Sequence, residues 1–94
     1  MIYSINLTPT AIADIHDGLE FYNSRAANLG FRFADEVNAA LQDIATMPNA
    51  YGYRYKNVRG KQVRKFPYLI FFTINDTNFF IEVLRIFNGY QDHF

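Results

Sequence analysis

The sequence contains no cysteine among its 94 residues. Disulfide bonds are therefore excluded, and because small secreted domains usually depend on them, we expect a protein of the reducing cytoplasm. The two histidines, His16 and His93, are far apart in the sequence, so we expect no bound metal. Phosphate-binding loops, dinucleotide fingerprints and nucleophile elbows are also missing, and we therefore expect no cofactor.

Long apolar segments are absent as well. The longest apolar run, over residues 66–73, has the length of a strand and is too short to cross a membrane as a helix. The first residues carry neither a basic cluster nor an apolar stretch, so we expect no signal peptide and no membrane partner. Half of the residues are hydrophobic, and this length predicts a single domain over residues 1–94 with one core.

Net charge is zero, but charges of one sign are clustered. Residues 1–53 carry six acids and two bases, whereas residues 54–65 carry six bases and no acid. Tyr53, Tyr55 and Phe66 are interleaved with these bases, a pattern typical of a surface that binds phosphates and stacks bases. The alternative is a solvated hairpin that uses its cations to prevent edge-to-edge strand pairing. The candidate target- or nucleic-acid-binding residues are Arg54, Lys56, Arg59, Lys61, Arg64 and Lys65.

The first half of the chain predicts a strand and two helices. A strand over residues 2–7 is followed by Thr8 and Pro9, which are typical of a helix N-terminus. Gly30 is expected to supply the positive φ of a tight turn, and Pro48 to end a second helix over residues 31–47. The inward face of the first helix is predicted to comprise Ile12, Ile15, Leu19, Tyr22 and Ala26, and its outward face to comprise Asp14, Asp17 and Glu20.

The second half predicts strands. Residues 54–58 and 61–66 flank an expected turn at residues 57–60, and residues 79–87 form an expected last strand. Residues 66–74 are apolar on both alternating faces, which is typical of a central strand covered on both sides. We therefore predict an α+β fold with an N-terminal strand, an antiparallel helical hairpin and three to four mostly antiparallel strands.

The chain resembles the RelE/ParE toxin superfamily in several segments. They are Phe21 with Tyr22, residues 55–59 (Tyr-Lys-Asn-Val-Arg), residues 64–72 (Arg-Lys-Phe-Pro-Tyr-Leu-Ile-Phe-Phe) and residues 82–87 (Glu-Val-Leu-Arg-Ile-Phe). The order of elements is also similar, so the resemblance extends over essentially the whole chain. It implies the toxin of a bacterial type II toxin–antitoxin system, a class that includes plasmid stabilisation proteins. A cognate antitoxin would hold such a toxin inactive in a toxin–antitoxin hetero-oligomer, and the free toxin could form a homodimer.

The resemblance leaves the target open, and with it whether the chain is an enzyme. RelE-like members cleave mRNA in the ribosome, and the matching catalytic positions would be Lys56, Arg64, Arg85 and Tyr90, with His93 as the alternative to Tyr90. Asn88 stands where many relatives have histidine, and its amide cannot transfer a proton at neutral pH.

ParE-like members poison DNA gyrase without cutting RNA and need no catalytic set. The helical hairpin over residues 9–47 and the arginine-rich strands would then bind proteins. The sequence favours a ParE-like growth inhibitor over an mRNA endoribonuclease, and an inactive relative that serves as a binding module is a third alternative.

Overall fold

The computed structural model describes residues 2–89 of the chain. As predicted, one strand and two helices precede the remaining strands, of which there are four. The elements are β1 (Ser4–Leu7), α1 (Pro9–Arg25), α2 (Leu29–Thr46), a 3-10 turn (Pro48–Ala50), β2 (Tyr53–Tyr55), β3 (Val58–Gln62), β4 (Tyr68–Asn75) and β5 (Phe80–Asn88). No helix within residues 2–89 is long and apolar enough to span a membrane.

The five strands form one mixed sheet in the order β1-β5-β4-β3-β2. β1 pairs with β5 in parallel, and the other neighbouring strands are antiparallel. β1 and β2 lie at opposite edges of the sheet, and α1 and α2, which connect them, cross one face of the sheet. The predicted α+β class is therefore correct.

The start of α1 is joined to β5 through Thr8. The Thr8 hydroxyl accepts a hydrogen bond from the Ala11 N–H at 3.1 Å, and Pro9 is the first helical residue, as predicted. The same hydroxyl donates to the carbonyl oxygen of Leu84 at 2.9 Å, and the Thr8 N–H donates to the carbonyl oxygen of Val83. One capping residue thus fixes the direction in which α1 leaves the sheet.

The turn between the helices uses a different residue from the one predicted. Asn28 adopts the positive φ, at 65°, whereas Gly30 lies inside the first turn of α2. Asparagine tolerates this conformation because its side chain is short and polar. Gly30 is needed for close approach instead. A Cβ at this position would collide with the carbonyl oxygen of Leu19 and lie 2.6 Å from Asn23 Cγ.

The main core lies between the helices and the sheet. It contains Phe33, Val37 and Ile44 of α2 together with Ile70 and Phe72 of β4, all of which are almost fully buried. A smaller cluster on the opposite face contains the buried residues Val58, Phe71 and Phe87. β4 is the middle strand of the sheet, as predicted, and has buried side chains on both faces; the cluster on the second face consists of residues from β3, β4 and β5.

The predicted inward face of α1 is wrong at its two ends. Ile12 is 54% exposed and Ala26 is also exposed, whereas Ala11 and Gly18 are buried. The helical periodicity is correct, but the buried face of α1 is rotated toward smaller residues. Gly18 is buried because the Phe33 ring packs directly against it, and a Cβ at position 18 would lie 2.5 Å from that ring.

The turn of the hairpin between β2 and β3 lies earlier in the chain than predicted. Tyr55 pairs with Val58, so the turn consists of Lys56 and Asn57, and Lys56 adopts a φ of 48°. β3 ends at Gln62, and residues 63–67 form a loop rather than the end of the strand. Gly60, the last residue of the predicted turn, lies within β3 beneath the Arg54 side chain.

The close contact at Gly30 predicts a stability difference between two glycine substitutions. Gly30→Ala is expected to lower the free energy of unfolding by about 1–3 kcal/mol, since the new methyl group must displace backbone and side-chain atoms. Gly52→Ala is the matched control, because no atom of residues 2–89 is found within 4 Å of a Cβ at that position. Urea unfolding of both variants measures the difference. Equal stabilities would contradict the account of the helix–helix contact.

Candidate functional site

One carboxylate connects α1 to the open edge of β5. β1 ends at Leu7, which pairs with Val83, so no strand within residues 2–89 lies beside the second half of β5 on that side. Asp14 of α1 lies there. Its carboxylate accepts hydrogen bonds from Arg85 Nε at 3.1 Å, from Arg85 Nη2 at 3.0 Å and from the Ile86 N–H at 2.9 Å.

This arrangement corrects the expectation that Asp14 faces solvent. The Asp14 side chain is only 12% exposed, and the Arg85 side chain is 41% exposed. Two parallel N–H···O bonds are the strongest geometry available to an arginine and a carboxylate. The guanidinium also lies 5.2 Å from the centre of the Phe87 ring. A phosphate that approached Arg85 would have to compete with the Asp14 carboxylate for the guanidinium.

Arg59 is engaged within the fold. It donates to the carbonyl oxygen of Tyr51 at 2.7 Å and to the Tyr53 hydroxyl at 2.9 Å, and its guanidinium lies 4.1 Å from the centre of the Tyr53 ring. Lys61 lies on the same side of β3, with its Nζ 5.2 Å from the centre of the Tyr51 ring. These two cations connect β3 to the segment that follows α2.

The basic segment of the chain, residues 54–65, lies beside α2, which carries Asp35, Glu36 and Asp43. Lys61 and Arg64 line one depression together with Glu36 and Asp43, and Lys65 lines another with Asp35 and Glu36. The two oppositely charged stretches of the sequence are therefore neighbours in space. Of the six candidate cations, Arg54 packs over Gly60 and Lys56 occupies the hairpin turn, and both are exposed.

The residues of the nuclease hypothesis lie on separate elements. Lys56 is at the turn next to β2, Arg64 is in the loop after β3, and Arg85 is on β5. β2 and β5 are three strand spacings apart, or about 14 Å. Tyr90 and His93 lie outside the described residues. Within residues 2–89, no group of three or more histidine, aspartate or glutamate residues is arranged to hold a metal ion.

A cleft between the tip of the helical hairpin and the loop 63–67 was not predicted. It has a volume of about 660 Å³ and includes Tyr22, Leu29, Phe66 and Pro67 among its lining residues. Residues 66–67 directly precede β4, and the sequence analysis placed them in strands. Which helix residues would face it depends on how the hairpin packs on the sheet.

Aromatic rings support the apolar side of this cleft. The Tyr22 ring lies 4.9 Å from the Phe66 ring and 5.3 Å from the Phe33 ring, and Phe33 in turn lies 4.8 Å from Tyr68. Burial, together with the charge and hydroxyl of the neighbouring Tyr68, raises the pKa of Tyr22 above its ordinary value. The rings therefore form a continuous packed wall rather than isolated side chains.

Comparison with known proteins supplies a family and a set of related folds. The sequence profile of the family described as ParE toxin of type II toxin–antitoxin system, parDE, matches residues 5–93. A search among curated protein sequences finds no match. Among solved structures, the chain is similar to a chromosomal ParDE toxin–antitoxin system from P. aeruginosa, with a TM-score of 0.80 and 16% identity over 93% of this chain and 96% of that one.

Two further solved structures are similar at a TM-score of 0.60. The toxin–antitoxin complex RelBE from Mycobacterium tuberculosis is 17% identical over 94% of this chain and 99% of that chain. A double mutant of the E. coli toxin RelE in the free state is 12% identical over 96% of this chain and 86% of that chain. At such identities these likenesses establish the shared fold.

The Asp14 contacts predict a graded loss of stability. Asp14→Ala is expected to lower the free energy of unfolding by about 2–3 kcal/mol, because Arg85 and the Ile86 N–H lose their shared acceptor. Asp14→Asn keeps one acceptor oxygen and is expected to cost about 1 kcal/mol. Asp17→Asn, an exposed acid on the same helix, is the control. Equal urea midpoints for Asp14→Ala and Asp17→Asn would refute the assignment.

The raised pKa of Tyr22 predicts an alkaline loss of stability. The unfolded chain releases this phenolic proton at a lower pH than the folded chain does. Its contribution is therefore fully present below the ordinary tyrosine pKa of about 10 and is lost as the pH rises through the folded value. Tyr22→Phe is expected to flatten the decline in the free energy of unfolding above pH ~10. An unchanged decline in urea titrations would argue against a desolvated hydroxyl.

Proposed function

The chain belongs to the ParE toxin family of type II toxin–antitoxin systems, and we propose that it acts as a growth inhibitor that targets DNA gyrase and does not itself cleave RNA. The predicted resemblance to the RelE/ParE superfamily is confirmed by the family match and the shared fold. The partner that neutralises it is a cognate antitoxin, as in the ParDE and RelBE systems that share its fold.

The pairing of Arg85 with Asp14 carries the proposal that the chain is not a nuclease. A nuclease would need this cation to stabilise charge on the scissile phosphate. Arg85 instead forms a bidentate ion pair with Asp14, and the same carboxylate accepts a hydrogen bond from the Ile86 N–H of β5. A protein-binding toxin needs no converging catalytic set, so the separation of Lys56, Arg64 and Arg85 is compatible with it.

Ribosome-dependent mRNA cleavage is the second candidate. It is favoured by the exposed cations Arg54, Lys56, Arg64 and Lys65, none of which forms an ion pair with a described residue. Such side chains attract phosphates. Both candidate targets are cytoplasmic, and we propose that location for the chain. The oligomer that we propose is a toxin–antitoxin hetero-oligomer.

Inducible expression of the chain alone tests the choice between the targets. Growth is expected to slow while mRNA stays intact and plasmid supercoiling changes, because the proposed target is gyrase. RNA integrity and supercoiling are measured from the same culture. Rapid mRNA cleavage with normal supercoiling would replace this proposal by the nuclease, and a harmless chain would refute both.

Three variants separate contact with the target from loss of the fold. Arg64→Ala is expected to relieve growth inhibition, because Arg64 is exposed and forms no ion pair with a described residue. Arg85→Ala and Asp14→Ala break the same ion pair and are expected to affect growth equally. A harmless Arg85→Ala beside a fully toxic Asp14→Ala would show that Arg85 itself meets the target.

A further inference from the structure

The two edges of the sheet differ in how they are protected from pairing with another chain. β2 forms one edge and β1 the other. β2 contains Arg54, is followed by Lys56, and pairs with β3 through an irregular register between Tyr53 and Tyr55. Charges and bulges of this kind hinder an edge strand from pairing further. β1 (Ser4–Leu7) has a regular register with β5 and contains neither a charged residue nor a proline.

The backbone of β1 has hydrogen-bonding groups on its outer side. The N–H groups of Ser4 and Thr8 donate to carbonyl oxygens of β5. Because successive residues of a strand direct their backbone groups to opposite sides, those of Ile5 and Leu7 point away from β5. No strand within residues 2–89 lies on that side, and the N–H groups of Ile5 and Leu7 have no backbone acceptor there.

The open part of this edge has defined limits. The Tyr3 N–H also points outward, but it donates to the carbonyl oxygen of Ala45 at 2.9 Å. At the other end the chain enters α1 at Pro9, which has no N–H to donate. Ile5 and Leu7 already pack against the main core. A strand added here would therefore extend the sheet without rearranging the core.

The sequence of this edge suits pairing with a second copy of itself. In an antiparallel arrangement about a two-fold axis at Asn6, Ile5 of each copy lies opposite Leu7 of the other. Each such pair exchanges two backbone hydrogen bonds. Residues 1–13 contain no charged side chain, so no like charges meet across the axis. The same operation at β2 would bring two copies of Arg54 together.

Pairing of this kind ends at two copies. A two-fold axis uses the β1 edge of both copies, so no open β1 edge remains. Each copy contributes a sheet that has β2 at its other edge. The combined sheet is therefore bounded on both sides by the strand that carries Arg54 and the irregular register. This closure predicts a dimer and not a fibre.

We propose that the free chain forms a weak, two-fold symmetric dimer through antiparallel pairing of its β1 edges. Four residues from each copy form a contact well below the standard interface of about 1,600 Å². We therefore expect a dissociation constant of about 10 μM or higher. The inference rests on the edge of the sheet alone and does not depend on the target of the chain.

Amide hydrogen exchange of the full chain, followed by NMR at increasing concentration, tests which groups pair. The N–H groups of Ile5 and Leu7 are expected to exchange about tenfold more slowly once the dimer predominates. The Thr8 N–H is bonded within one copy and is expected to exchange at the same rate throughout. Sedimentation velocity over the same concentrations is expected to show the shift from monomer to dimer.

Charge variants at the two-fold axis test the register. Asn6 is exposed, and Asn6→Lys and Asn6→Asp each place like charges opposite each other, so each variant is expected to remain monomeric. An equimolar mixture of the two is expected to regain the dimer, because lysine then faces aspartate. A loss of fold would not be rescued in this way. Asn38→Lys, at an exposed position of α2, is the control and is expected to dimerise like the unaltered chain.

Three results would overturn the proposal. A chain that remains monomeric up to about 1 mM has no such contact. A dimer that forms without slower exchange at Ile5 and Leu7, or that persists in both Asn6 variants, uses another surface. Slower exchange at Ile5 and Leu7 that appears only when the cognate antitoxin is added would replace the second copy by a strand of the antitoxin.

Discussion

The contact of Asp14 with Arg85 and the Ile86 N–H holds the helical layer against the sheet. β5 has nine residues but its neighbour β1 has only four, so half of β5 would present an open edge. An open edge is prone to pairing with other chains. Asp14 supplies the acceptor that a strand would have supplied, and Thr8 starts α1 where β1 ends. The direction of α1, and with it the position of the hairpin tip, follows from this edge.

The electrostatic consequences of this packing bear on function. The acidic helix α2 lies beside the basic segment, and Asp14 neutralises Arg85. The two oppositely charged stretches of the sequence are therefore neighbours in the fold, although no ion pair joins them within residues 2–89. The cations that remain for partners lie at the hairpin turn and in the loop 63–67, where they border apolar surface. Such a surface suits protein recognition, in which charge provides orientation and apolar burial provides affinity.

Local signals in the sequence were sufficient to predict much of the fold. Thr8 and Pro9 mark the start of α1, because capping depends only on neighbouring residues. The apolar residues on both alternating faces identified β4 as a central strand. Features that depend on tertiary packing were missed. The burial of Asp14 requires knowledge that β1 is short and pairs with β5. Asn28, and not Gly30, adopts the positive φ of the turn, whereas Gly30 allows α2 to approach α1 closely.

The candidate site was only partly predictable for the same reason. The six clustered cations were visible in the sequence, but the sequence did not reveal that Arg59 packs on Tyr53 or that α2 places acids beside Lys61 and Arg64. Those relations join residues from different elements. The cleft at the hairpin tip likewise combines α1, α2 and a loop.

The central claim is that this chain acts by binding a protein and not by cutting RNA. The most direct measurement adds the purified chain to DNA gyrase in a supercoiling assay and, in parallel, to ribosomes that carry mRNA. Our account predicts that gyrase activity is inhibited and that the mRNA on the ribosome remains intact. Cleaved mRNA together with unaffected gyrase would contradict it.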